Sequence, residues 1–245
     1  MALLEVQELS RHFGGIQAVK KCSFSVEKGS ITALIGPNGA GKTTTFNLIS
    51  GTIRPDSGSV FFKGHDITRI RPNRVARMGL SRTFQITRAL EEMSVVENMA
   101  IYRHPKTPWE MFKLGVADED RERAMELLSF LGMERLAREP AGSLSYGQRK
   151  LMELGAVLMS EPELIMLDEP AGGVNPALLE TIVDRIQQLN REGITFLIVE
   201  HNMELVMGIS DPVVVMAFGE VIAAGKPTDV QKDPRVLEAY LGGTA

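Results

Sequence analysis

The chain has 245 residues, 44% of them hydrophobic and 24% charged, with a formal net charge of −4. That length can bury a large α/β core, and the acidic balance argues against a dedicated nucleic-acid binder, so no nucleic-acid partner is expected. A lone cysteine, Cys22, excludes an internal disulfide; Met1-Ala2-Leu3-Leu4-Glu5 lacks a basic leader, and no apolar run nears the roughly 18 residues that span a bilayer.

Strands are expected over Leu3–Leu9, Ala18–Val26 and Ser30–Ile35, which are rich in β-branched and apolar residues and separated by Gly14-Gly15 and Lys28-Gly29. Cys22 falls within the second strand beside Ser23, Phe24 and Val26 and reads as packing. Next comes Gly36-Pro37-Asn38-Gly39-Ala40-Gly41-Lys42-Thr43-Thr44, between the apolar run Ile31–Ile35 and a helical run from Thr43 to Ser50. A buried strand, a glycine-rich turn and a helix start are the context in which G-x-x-x-x-G-K-T becomes a phosphate site. The glycines let backbone N–H groups point at phosphate oxygens, and the helix N-terminus adds partial positive charge. Lys42 is expected to reach the β- and γ-phosphates, and the Thr43 hydroxyl to hold Mg²⁺. The chain is therefore expected to bind a nucleoside triphosphate.

A turn-rich connector, Thr52–Ser59, contains Pro55-Asp56-Ser57-Gly58 and leads into a strand at Val60–Lys63, ended by Gly64. From Ile67 to Leu90 there are six arginines (Arg69, Arg71, Arg74, Arg77, Arg82, Arg88) and no acid. That stretch reads either as a solvated face or as a surface for membrane subunits or anionic headgroups. Residues 87–157 then change character. Met93–Ile101 and Asp118–Leu131 have helical apolar spacing, with Asp118, Glu119 and Asp120 at a helix start and Gly132 past its end. Pro105 and Pro108 break the chain between them, and Trp109 reads as packing or as an anchor for a partner. Leu144-Ser145-Tyr146-Gly147-Gln148 opens a further helix with Leu151, Leu154 and Leu158 on one face. Its serine is either a plain N-cap or part of a second anion-binding surface.

Leu164–Leu167 is expected as a short buried strand, and Asp168 and Glu169 follow at its C-terminal end, where open parallel sheets present ligands. Asp168 suits the Mg²⁺ shell and Glu169 the polarisation of an attacking water. Ala177–Glu192 reads as a helix closed by Gly193, Ile194–Val199 as an apolar strand of a parallel sheet, Val213–Ala217 with Val221–Ala224 as a hairpin, and Pro234–Leu241 as a final helix.

Taken in order, these segments resemble the nucleotide-binding subunits of ATP-binding cassette (ABC) transporters. The matching residues are Phe13, in the place of an aromatic that stacks on adenine; the loop Gly36–Thr44; Gln85 in Arg82-Thr83-Phe84-Gln85; the signature-like Leu144–Gln148; Asp168-Glu169; Asn175; and His201 in Val199-Glu200-His201. The resemblance implies an α/β P-loop NTPase fold, a RecA-like, mostly parallel sheet with flanking helices. To it are added an N-terminal antiparallel β-subdomain and an inserted helical subdomain. Residues 1–245 would form one ABC ATPase domain, with 1–86 and 158–245 as the core and 87–157 as the insert.

The resemblance also implies ATP and Mg²⁺ as ligands and head-to-tail pairing with a second ATPase subunit. Each ATP then lies between one copy's phosphate loop and the other copy's Ser145, Gly147 and Gln148. It gives Gln85 contact with Mg²⁺ or the water, and His201 contact with the γ-phosphate; taken bare, His201 reads as a structural histidine. Val19 is placed beside the base or ribose, or is an ordinary strand valine. Two positions depart from the pattern. Tyr146 replaces the first signature glycine, and Asn175 stands where aspartate is usual.

Glu200-His201-Asn202-Met203, Val206–Asp211 and the ending Glu238–Gly242 resemble the branched-chain amino acid importer branch, whose wording urea and amide importers share. That branch implies integral membrane permease subunits, indirectly a substrate-binding protein, and a peripheral place at the cytoplasmic face of the membrane. A soluble ABC ATPase outside transport is the alternative; the coiled coils and second cassette of such proteins are missing here.

Overall fold

The computed structural model describes residues 1–83, 89–103 and 116–241. Gln85, Arg88, Pro105, Pro108 and Trp109 lie outside the described residues. The chain opens with two long antiparallel strands, β1 (Ala2–Phe13) and β2 (Ile16–Glu27). Both run further than their apolar composition predicts, because the tight turn at Gly14 (φ +56°) and Gly15 lets pairing continue to the hairpin tip. The loop strand β3 (Ile31–Ile35) is followed by α1 (Lys42–Ile49), β4 (Ser57–Phe62), the two-residue β5 (His65–Asp66), α2 (Pro72–Arg77) and β6 (Leu80–Arg82).

Next come α3 (Val95–Ala100), α4 (Asp118–Phe130) and α5 (Tyr146–Leu158), then β7 (Leu164–Asp168), α6 (Pro176–Arg191), β8 (Thr195–Val199) and α7 (Met203–Ile209). A hairpin of β9 (Val213–Ala217) and β10 (Glu220–Gly225) turns at Phe218 and Gly219, both at positive φ, before α8 (Pro227–Val230) and α9 (Pro234–Leu241).

Two sheets result. The N-terminal one is antiparallel, in the order β2-β1-β4-β5. The central one runs β10-β9-β3-β8-β7-β6, parallel throughout except for the β9–β10 hairpin at its edge. Strands β3, β7, β8 and β9 are buried at every position, as a sheet covered on both faces requires. Alternation along them assigns the faces. Leu164, Met166, Leu197 and Val199 join the core under the antiparallel sheet and α1. Ile165, Leu167, Phe196 and Ile198 join the core shared with α3, α4, α5 and α6.

The topology decides where chemistry can occur. With β3, β6, β7 and β8 parallel, the segments that leave their C-terminal ends meet along one edge. Strand β6 was not expected from the sequence; it is three residues long with a serine at its middle, too short to show a period. The helices α2 and α7 were also missed, although Pro72 at the first position of one and Asn202 capping the other are start signals. Of the arginines read as one basic face, Arg69, Arg71, Arg74 and Arg77 are exposed, whereas Arg82 points inward.

Candidate functional site

Two glycines build the loop after β3. A Cβ on Gly36 (φ +149°) would sit 2.0 Å from the carbonyl oxygen of Met216, and one on Gly41 (φ +98°) 2.4 Å from that of Ala18. Any side chain there would push the loop off the strands behind it. Gly41 is also the N-cap of α1, and no side chain caps that helix start. Its first-turn amides are therefore left facing outward, which is the electrostatic setting for an anion. Lys42 is nearly buried, and its ammonium donates to the carbonyls of Gly36 (2.7 Å) and Pro37 (3.0 Å). Burial lowers its pKa, opposed by the charges of Glu169 and Asp168, so the lysine already feels both carboxylates. Asn38, Gly39 and Thr43 are exposed along this loop, Pro37 and Thr44 are half-buried, and Ala40 is buried. From the far end of the chain, Tyr240 of α9 reaches the backbone of Gly36; its hydroxyl pKa is raised by burial, an effect that this bond opposes.

At the end of β7 the Asp168 carboxylate lies 2.8 Å from the Arg82 guanidinium, and neither side chain has appreciable solvent contact. Arg82 also donates to Asn47 Oδ1 (2.7 Å) and Ser50 Oγ (3.3 Å) at the end of α1 and lies over the Phe46 ring. Asp168 is thereby linked to the helix that starts at the phosphate loop. Glu169 follows with φ +51°, a left-handed conformation that costs a non-glycine residue about 1–3 kcal/mol. Neighbours hold it there: its amide donates to Val199 (2.9 Å), and its carbonyl accepts from the amide of Gly172 (3.1 Å) and from the ammonium of Lys150. The His201 ring nitrogen Nδ1 stands 3.9 Å from Glu169 Oε1.

Glu200 has a role that its place in Val199-Glu200-His201 does not by itself announce. Its fully buried carboxylate accepts from the amides of Ala171 (2.7 Å), His201 (2.9 Å) and Asn202 (3.0 Å). One side chain thus ties the loop after Glu169 to the loop that carries His201. An acid immediately after the apolar run Thr195–Val199 was the available signal.

The serine-led helix is capped by its own residues. Ser145 Oγ accepts from the Gln148 amide (3.3 Å), and the Ser145 amide donates to Gln148 Oε1 (2.9 Å), a capping box. Gly147 turns inward, where a Cβ would lie 2.1 Å from Leu178 Cδ2, so the absence of a side chain lets the start of α5 approach α6 closely. Asn175 caps α6 by accepting from the Leu178 amide at 3.0 Å, a task that asparagine performs as well as aspartate.

Phe13 is 46% exposed at the end of β1, with the Arg11 guanidinium 5.0 Å from its ring centroid. Asp56 holds that guanidinium at 2.7 Å and also accepts from the His12 amide at 2.7 Å. The placing of Val19 against a base is corrected. Its side chain has no exposed surface and packs in the core beneath the antiparallel sheet.

The chemistry of the donor set suits Mg²⁺. Asp168 and Thr43 offer oxygen ligands only, and among the described residues no group of three or more His, Cys, Asp or Glu converges as a dedicated metal cage. A cation held by one or two protein oxygens, with phosphate and water completing its shell, fits that arrangement.

Comparison with known proteins agrees with this geometry. Residues 19–172 match the family model described as ABC transporter, and residues 220–245 match that of the branched-chain amino acid ATP-binding cassette transporter. The chain is 43% identical to a probable branched-chain amino acid transport ATP-binding protein of Archaeoglobus fulgidus, over 99% of this chain and 96% of the other. It is 38% identical to the high-affinity branched-chain amino acid transport ATP-binding protein of Pseudomonas aeruginosa, over 98% of both. A crystal structure of the ADP conformation of an ATP-binding cassette superposes with a TM-score of 0.88, at 38% identity over 99% of both chains.

Proposed function

We infer the function from family and geometry together: the chain belongs to the ABC transporter ATP-binding proteins, and within them it is the ATP-hydrolysing subunit of an importer for branched-chain amino acids. The relatives' names favour this over a urea or amide importer and over a soluble ABC ATPase outside transport. The observation that carries the chemistry is the meeting of three segments at one sheet edge. These are the loop 36–44 after β3, Asp168-Glu169 after β7, and His201 after β8.

On this reading the amides at the start of α1 and the Lys42 ammonium take the β- and γ-phosphates, and Lys42 leaves its carbonyl partners Gly36 and Pro37 to do so. Phe13 stacks on adenine by the ring face opposite Arg11. Thr43 and Asp168 hold Mg²⁺, which when bound neutralises charge on the β- and γ-oxygens. Glu169 orients the attacking water and accepts its proton, and His201 faces the γ-phosphate. Gln85 is proposed as the further contact to metal or water.

The exposed Ser145 end of α5 is proposed to cap the nucleotide of a second ATPase subunit, so that two ATPs close a head-to-tail pair. No helix among the described residues is long and apolar enough to cross a membrane. Attachment to the cytoplasmic face is therefore assigned to permease subunits, and a substrate-binding protein delivers the solute to them. The groove lined by Pro72, Ala76, Tyr102 and Val157, beside the exposed Arg71, Arg74 and Arg77, is where we place that contact.

Co-purification from detergent-solubilised membranes tests the assignment. Recovery with integral membrane subunits and a second ATPase is expected, and recovery only with soluble partners would overturn it.

A further inference from the structure

The signature-bearing helix α5 also contacts the catalytic loop of its own chain. Tyr146 and Lys150 stand four residues apart, hence on one face of the helix. The Lys150 ammonium lies 5.4 Å from the Tyr146 ring centroid and donates to the backbone carbonyl of Glu169. The Tyr146 ring in turn covers Gly173; a Cβ there would meet the ring at 3.0 Å. Gly147 completes the contact by packing on Leu178 and Val174. Three positions in one turn of α5 therefore grip the segment 169–178.

Lys150 is a costly residue to place here. Burial lowers its pKa, offset by the surrounding carboxylates Glu200, Glu153, Glu169 and Asp168. A half-buried lysine among four acids, bonded to a carbonyl of a residue in left-handed conformation, restrains that backbone where neutral packing would not. It also accounts for the tyrosine in place of a glycine. The ring fills the space over Gly173 and lies beneath the ammonium, a contact that glycine cannot make.

We propose that Lys150, seated on Tyr146, is a positioning residue that ties the signature helix to the backbone of Glu169 in the same chain. The proposal rests on the catalytic role assigned to Glu169 above. Its consequence is a link between two sites. Ser145 at the tip of α5 serves the partner's nucleotide, Glu169 serves the chain's own, and a shift of α5 on capping one nucleotide moves the group that hydrolyses the other.

Two measurements on the full-length chain and its Lys150→Met, Lys150→Arg and Tyr146→Ala variants test this. In hydrogen exchange without nucleotide, Lys150→Met is expected to speed amide exchange across 170–175 by roughly fivefold or more, Tyr146→Ala by less, and Lys150→Arg to restore protection. In steady-state assays Lys150→Met is expected to lower kcat about tenfold or more while ATP affinity stays within about twofold, with Lys150→Arg recovering most of the rate. Wild-type exchange in Lys150→Met, or an arginine variant as defective as the methionine one, would overturn the proposal. A wild-type chain that fails to hydrolyse ATP would count against the assigned function instead, and the exchange measurement would still decide the tether.

Discussion

Arg82 Nη2 lies 2.8 Å from Asp168 Oδ2 in a pair almost wholly removed from solvent, joining residues 86 positions apart. Asp168 is the carboxylate proposed to hold Mg²⁺, so its position before metal arrives depends on this guanidinium. Arg82→Met is expected to strip a buried carboxylate of its directly bonded counter-charge, leaving the charges of Lys42 and Lys150 to offset it, and to destabilise the fold by up to about 3–5 kcal/mol. Urea unfolding measures this; a loss below about 1 kcal/mol would mean that solvent reaches Asp168.

Lys42→Ala removes the cation at the phosphate loop, together with its bonds to the carbonyls of Gly36 and Pro37, and leaves the glycine backbone turns at Gly36 and Gly41 in the sequence. ATP affinity is expected to fall at least about tenfold, equivalent to roughly 1.4 kcal/mol. Titration calorimetry reads it, and unchanged affinity would contradict the phosphate cradle.

Glu169→Gln keeps the shape of the side chain and abolishes its capacity to take a proton. Nucleotide binding is expected to persist while turnover drops on the order of 10²–10⁴-fold. Retained turnover in this variant would reassign the base.

Cys22 gives a pH-dependent handle on the core. Burial pushes its thiol up to about 12, against an ordinary value of 9.0, with a hydrogen bond to Thr45 opposing the shift. Between those values the unfolded chain loses the thiol proton and the folded chain keeps it. Stability at this site therefore falls as pH rises through that window, by on the order of 1 kcal/mol per pH unit. Comparing the pH slope of unfolding for the wild type and Cys22→Ala checks the sign, since the variant should lack this component.

Much of the site was legible because its chemistry is local. Nine consecutive residues specify the phosphate loop, and Asp168-Glu169 announce themselves at the end of a wholly apolar strand. What stayed hidden depends on contacts distant in sequence. Nothing near Arg82 shows that it leaves the basic run to pair with Asp168, and nothing near Lys150 shows that α5 sets it against the loop after β7. Val19 failed in the opposite sense. It sits in a segment matching a ligand-binding motif, yet it is enclosed by protein. In the fold, the period-2 and period-3.6 signals found the long elements, while β6, α2 and α7, of three, six and seven residues, are too short to carry a period.

The most direct test of the whole account is leucine accumulation by sealed vesicles that hold this chain with its co-purified membrane subunits and the matching binding protein, with ATP on the face bearing this chain. Uptake that requires ATP and vanishes with Glu169→Gln is expected. Leucine uptake that proceeds equally with the glutamine variant, or an assembly whose ATP turnover never moves leucine, would contradict it.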